Sequence, residues 1–226
     1  MRAQAGVWQA PIRPADDVWL IAHEGRDWRC RLHPKALGLA LAGGLLGELV
    51  LGGRVAVGVD DMVAVQDVGP PHDAFAHVML AYIRSERMLD VRTWLKFFAG
   101  EKAAALVVER LHLAGLVEDV GGSRMRRHTG RALVPTDPDA AGWRPVRLRH
   151  VILGDLPTMP APTWADITLA GLVQAIGLLP VVFWEDHAAG DAWLRQRIDE
   201  SAPADLRRLF AAVQTLAGDV VLSGQR

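Results

Sequence analysis

The chain has 226 residues, half of them apolar, with a formal net charge of −1 and one cysteine, Cys30. That length and apolar share fit one domain with a sizeable core of its own. A single cysteine excludes an intrachain disulfide framework and points to a reducing compartment.

Residues 1–15 read as a flexible tail, interrupted by two prolines and without the apolar run of a secretory signal. Residues 16–226 read as a single domain. Val18–Ala22 and Arg29–Leu32, on either side of EGRDW, suit a short hairpin or a helical turn. Ala36–Leu51 (ALGLALAGGLLGELVL) is the longest apolar stretch, 16 residues with four glycines and Glu48. A membrane span needs about 20, so a buried core helix is expected, closed by Gly52-Gly53. Val55–Val57 and Met62–Val65 flank an acidic turn and predict a hairpin.

After Gly69-Pro70-Pro71, the spacing of Phe75, Val78, Met79, Tyr82 and Ile83 predicts a helix with those residues inward. Val91, Trp94, Leu95 and Phe98 predict a second helix, broken at Gly100. A third runs from Glu101 to Ala114 and carries Leu106, Val107, Arg110 and Leu111. Pro157–Pro162 reads as a connector. The helix Thr163–Ile176 is apolar on most faces, so it must be enclosed, and Thr163 and Asp166 have capping-box spacing. Helices around Asp191–Ile198 and Ala202–Leu216 close the chain, with Ser201 expected to cap the second. The expected core comprises Leu37, Leu41, Leu45, Leu49, Phe75, Val78, Met79, Tyr82, Trp94, Leu95, Leu111, Ile167, Leu172, Val173 and Ile176.

The sequence shows no P-loop, no GxSxG elbow, and neither HExxH nor finger spacing among its eight histidines. No catalytic residue, metal site or cofactor is therefore assigned, and the chain is not expected to be an enzyme. Glu185-Asp186-His187 reads as a solvated loop, and Cys30 as a buried or idle thiol.

The charge is unevenly placed. SRMRRHTGRALVP (Ser123–Pro135) puts Arg124, Arg126, Arg127 and Arg131 within eight residues. Between Gly121 and Arg149 seven arginines face only Asp137 and Asp139, a local surplus of five. A basic hairpin is expected, with its turn at His128-Thr129-Gly130, its return strand at Ala132–Val134 and its arginines solvent-exposed. Such a hairpin suits lipid phosphate, nucleic acid or the acidic face of another subunit, or is simply solvated. Arginine favours phosphate because its planar fork donates two hydrogen bonds to one group.

The order of elements is similar to that of the Golgi phosphoprotein 3 family, and in particular its bacterial members. The residues that carry the resemblance are GELVLGGRVAV (Gly47–Val57), VVERLHLAGLVED (Val107–Asp119), RMRRHTGRALVP and IGLLPVVF (Ile176–Phe183). The resemblance spans about Asp17 to the C-terminus. It implies a mainly all-α fold, a helix-bundle core wrapped by amphipathic helices, with small β-hairpins. It also implies a peripheral membrane, adaptor-like protein that binds phosphatidylinositol 4-phosphate, oligomerises through the hairpin and takes membrane enzymes as cargo. Aligned on these motifs, the tryptophan and three arginines of the eukaryotic lipid pocket fall at His33, Ala42, Glu101 and Ala104.

The expected function is anionic-phospholipid binding by a cytoplasmic protein associated peripherally with membrane. The candidate lipid-binding residues are Lys35, Lys102, Arg124, Arg126, Arg127 and Arg131, each basic group near an anionic surface contributing roughly 1 kcal/mol. Two alternatives stand beside it. One is a winged-helix-like nucleic-acid-binding regulator, in which Lys102, Arg110 and His112 face DNA; the mostly apolar helix makes nucleic acid an unlikely partner. The other is an oligomeric scaffold held by the arginine hairpin.

Overall fold

The computed structural model describes residues 13–23, 27–67, 69, 73–86, 89–120, 132–184 and 187–223. Among them are ten helices and two antiparallel two-stranded sheets, a mainly all-α fold with small hairpins.

At the centre is α2 (Pro34–Leu51). Its start is set by Pro34 at the first helical position and by the His33 side chain, which accepts a hydrogen bond from the Lys35 backbone N–H at 3.2 Å. Apart from Lys35 and Glu48 it is apolar around its whole circumference, so only enclosure satisfies it. Six helices touch it: α1 (Pro14–Ala22), α3 (Ala74–Ser85), α4 (Val91–Ala99), α5 (Glu101–Leu113), α7 (Trp164–Ala175) and α10 (Ala204–Ser223). The expected core helix is thus confirmed. Two glycines let neighbours approach at backbone distance. A Cβ on Gly44 would lie 2.6 Å from the Cα of Ala15, and one on Gly38 would lie 2.0 Å from the carbonyl oxygen of Ala99.

Of the hairpin and the helical turn, Val18–Ala22 takes the helical form, as part of α1, whose first turn takes in Pro14 and Ala15. Those two residues belong to the helix and not to the expected tail: every residue of α1 is buried, including Asp16 and Asp17. The acidic first turn suits the positive end of a helix dipole. Arg29–Leu32 is neither helix nor strand, bending at Arg31 and Leu32, with Arg31 N–H donating to the Ala22 carbonyl at 2.9 Å. Cys30 is exposed rather than buried. Its sulfur is hydrogen-bonded to Leu32, and partial desolvation pushes the thiol pKa up, which disfavours the thiolate.

The first hairpin pairs β1 (Val55–Val57) with β2 (Val63–Val65), Val55 opposite Val65. Asp205 and Arg208 of α10 clamp its edge, bonding the N–H and the carbonyl of Val57 at 3.2 and 2.7 Å.

On α3 the buried stripe is Ala76, Met79, Leu80 and Ile83. Val78 and Tyr82, expected in the core, are each 40% exposed, and Phe75 is only partly buried. Both stripes have helical spacing and share Met79 and Ile83, so the sequence pattern does not choose between them; packing on α2 and α5 does. The other twelve expected core residues are buried.

The second sheet pairs β3 (Val117–Val120) with β4 (Ala132–Pro135). Residues 138–153 then form α6 (Pro138–Leu153), capped by Asp137, which accepts from Ala140 N–H at 3.0 Å. This helix was not anticipated, because Gly142 and Pro145 interrupt its pattern. The capping box of α7 forms as expected, Thr163 and Asp166 bonding each other's backbone N–H. After the single turn α8 (Leu179–Val182), α9 (His187–Ser201) leads to α10. Ser201 therefore ends α9 rather than capping α10, and both helices run past their expected limits. Of Glu185-Asp186-His187, the first two lie outside the described residues and His187 begins α9.

Candidate functional site

The seven arginines between Gly121 and Arg149 fall into two groups. Arg144, Arg147 and Arg149 stand on α6 and each meets a carboxylate. Arg144 and Arg147 turn inward to the buried Asp17 and Asp166, at 2.6 and 2.9 Å, whereas Arg149 pairs at 3.0 Å with Asp155, an exposed residue just beyond the helix end. All three are paired within the fold and do not form a presented basic surface. Arg124, Arg126, Arg127 and Arg131 lie outside the described residues, as does the turn His128-Thr129-Gly130. The strands that bracket them, β3 and β4, are paired as a hairpin requires, with Val120 opposite Ala132.

Arg110 also turns inward. It is 3% exposed and reaches Asp16, Glu48 and Asp73, each at 2.7 Å. Glu48 in addition accepts from the Ala15 N–H at 3.1 Å, and Arg13 approaches Asp73 at 3.6 Å. Three carboxylates from α1, α2 and the N-cap of α3 thus share one guanidinium of α5. Arg110 is held firmly protonated by them. Burial outweighs its attraction at Asp16, whose carboxyl is pushed up to about 7, and likewise raises Asp17 to about 6 against the pull of Arg144. A cleft of about 440 Å³ lies over this cluster, walled by Phe75, Leu113 and Leu116. Arg110 is accordingly unavailable to DNA, which removes the central residue of the nucleic-acid alternative.

A different pocket gathers lysine. Lys35 at the start of α2 and Lys96 on α4 line a cleft of about 410 Å³. Its other walls are Leu39, Ala99, Gly100, Leu216, Val220 and Asp219. The close approach at Gly38 brings the last turn of α4 against the first turns of α2 and so forms one side of this cleft. Its base is apolar, its rim carries two ammonium groups against one carboxylate, and α2 points its positive end toward it. Lys102, the chain's third lysine, projects from the first turn of α5, its Nζ 3.6 Å from the Phe97 ring centroid and 4.9 Å from that of Tyr82.

Of the six candidate residues, the structure places Lys35 and Lys102 around the end of α4 and leaves the four arginines undescribed. Lys96 was missed: in sequence it is one polar residue on an amphipathic helix, and only its scarcity as a lysine marked it. The four positions aligned with the eukaryotic pocket carry neither arginine nor lysine. His33 and Glu101 are exposed, Ala104 is partly buried and Ala42 is wholly buried.

A family model described as Golgi phosphoprotein 3 (GPP34) matches residues 15–219. No curated protein matches the chain.

Proposed function

This chain belongs to the Golgi phosphoprotein 3 family, and on that premise we propose that it is a peripheral membrane protein that binds anionic phospholipid. The observation that supports the reading is the lysine cleft between α2, α4 and α10. Two ammonium groups over an apolar base suit a lipid phosphate attached to a glycerol and its acyl chains. The adaptor-like role, with membrane enzymes as cargo and self-association through the Arg124–Arg131 segment, follows from the family resemblance. So does a place on the cytoplasmic face of a membrane.

Among the described residues, the cleft is lined by point-charge lysines and by none of the forked arginines that grip a phosphate from two sides. We therefore propose binding governed by surface charge, without discrimination for phosphatidylinositol 4-phosphate. Vesicle flotation checks this. Vesicles of neutral phosphatidylcholine should not carry the protein. Vesicles containing phosphatidylglycerol or phosphatidylinositol 4-phosphate, matched for total charge, should carry it equally, and salt should weaken the binding. Flotation on the phosphoinositide alone contradicts the charge reading. Salt-sensitive binding to duplex DNA with none to vesicles replaces it with the nucleic-acid alternative.

A further inference from the structure

Around the last turn of α4 the surface is apolar as well as basic. Phe97 is 41% exposed, and Val78 and Tyr82, one turn apart on α3, are each 40% exposed. The Tyr82 and Phe97 rings meet edge to face with centroids 5.5 Å apart. Beneath them Phe98 lies 5.1 Å from Phe97 and 6.0 Å from Tyr82, and is itself stacked on the buried Trp94 at 5.5 Å. The exposed rings thus stand on a rigid aromatic base rather than on a mobile loop. Other exposed large apolar residues are spread around the fold: Val59 at a hairpin tip, Leu113 beside the acidic cleft, Trp184 after α8. Here three of them form one patch.

The charges nearby indicate what the patch faces. The Lys102 ammonium lies over both rings, and Lys96, next to Phe97, enters the lysine cleft. Glu86 and Glu101 are the exposed acids on the adjoining helix ends. Aromatic rings bordered by snorkelling lysines match the interfacial zone of a bilayer, where the rings contact acyl chains and the ammonium groups reach phosphate.

We infer that Tyr82 and Phe97, with Val78, form an apolar anchor that enters the interface of the bilayer whose anionic head groups occupy the neighbouring lysine cleft. The inference rests on the lipid-binding reading above and adds to it a second, salt-insensitive component. The test uses the full chain and vesicles of phosphatidylcholine with phosphatidylglycerol. Tyr82→Ser and Phe97→Ser should each weaken partitioning roughly tenfold, at low and high salt alike. Val59→Ser, at a distant exposed tip, should bind as wild type does. Hydrogen exchange of the wild type should slow over residues 78–85 and 94–99 when vesicles are added, a readout independent of how the variants fold. If the wild type binds and both serine variants bind as tightly, or exchange in those helices is unchanged, the anchor is overturned while the cleft reading stands. If the wild type binds no anionic vesicle, the two fall together.

Discussion

Replacing Arg110 by methionine should be among the most damaging single changes available outside the apolar core. Methionine fills much of the volume, so little cavity is created, and the loss is mainly electrostatic. The guanidinium holds Asp16, Glu48 and Asp73, each at 2.7 Å, and the exposures of their side chains are 7%, 14% and 20%. Removing one member of a buried ionic group leaves the others uncompensated, at a cost of about 3–5 kcal/mol. For a chain of this size that lowers Tm by roughly 6–20 °C. The loss should be greatest near pH 8 and smaller near pH 5, where the orphaned carboxylates take up protons and no longer repel one another. Adding Asp16→Asn to Arg110→Met should restore part of it. Thermal unfolding followed by circular dichroism at the two pH values provides the assay. A drop in Tm of under about 2 °C, or one that is the same at both pH values, refutes the idea that this cluster is an ionic clasp fastening α1 to the bundle.

In the wild type, Asp16 and Asp17 bind protons more tightly when folded, with pKa values of about 7 and 6 against an ordinary 3.8. Their contribution is complete below about pH 4 and is lost as pH rises through 6 to 7, so stability should fall across that range. Asp16→Asn should flatten the fall, and parallel Tm-against-pH curves for the two proteins would contradict the assignment. Gly44→Val places side-chain atoms where Ala15 already sits; it should loosen α1 and raise protease sensitivity near residue 23, measured against wild type. If the Arg124–Arg131 segment is presented as its sequence predicts, Arg126→Glu with Arg127→Glu should change unfolding free energy by no more than about 1 kcal/mol. The same pair should abolish vesicle binding or self-association, as judged by flotation and light scattering; retention of both removes any functional role for this segment's charge.

Much of the fold was legible because it rests on local signals. The apolar run of α2, the Thr163–Asp166 capping box and the valine runs of the first hairpin each specify an element without reference to anything distant. What escaped was tertiary. On α3 two overlapping stripes obey the same periodicity, and only packing on α2 and α5 selects Ala76 and Leu80 over Val78 and Tyr82. Arg144, Arg147 and Arg149 were counted as surface charge because their partners, Asp17, Asp166 and Asp155, lie on other segments or beyond the helix end. Arg110 and Glu48 were each visible as a charge within an apolar pattern, but their pairing, 62 residues apart, was not. The lysine cleft was half legible: Lys35 was chosen for its charge, whereas Lys96 joins it only because α4 packs its last turn against Gly38.

On the proposed function, the cleft between α2, α4 and α10 draws this protein to anionic lipid. Equilibrium binding to phosphatidylglycerol vesicles, measured for wild type and for Lys35→Glu with Lys96→Glu at low and moderate salt, tests it most directly. Both lysines lie on the surface of the cleft, so the fold should survive the exchange. Losing two basic contacts worth roughly 1 kcal/mol each should weaken binding about 30-fold and make the remainder less sensitive to salt. Equal affinity for wild type and the double variant at both salt concentrations would show that the cleft is not where lipid binds.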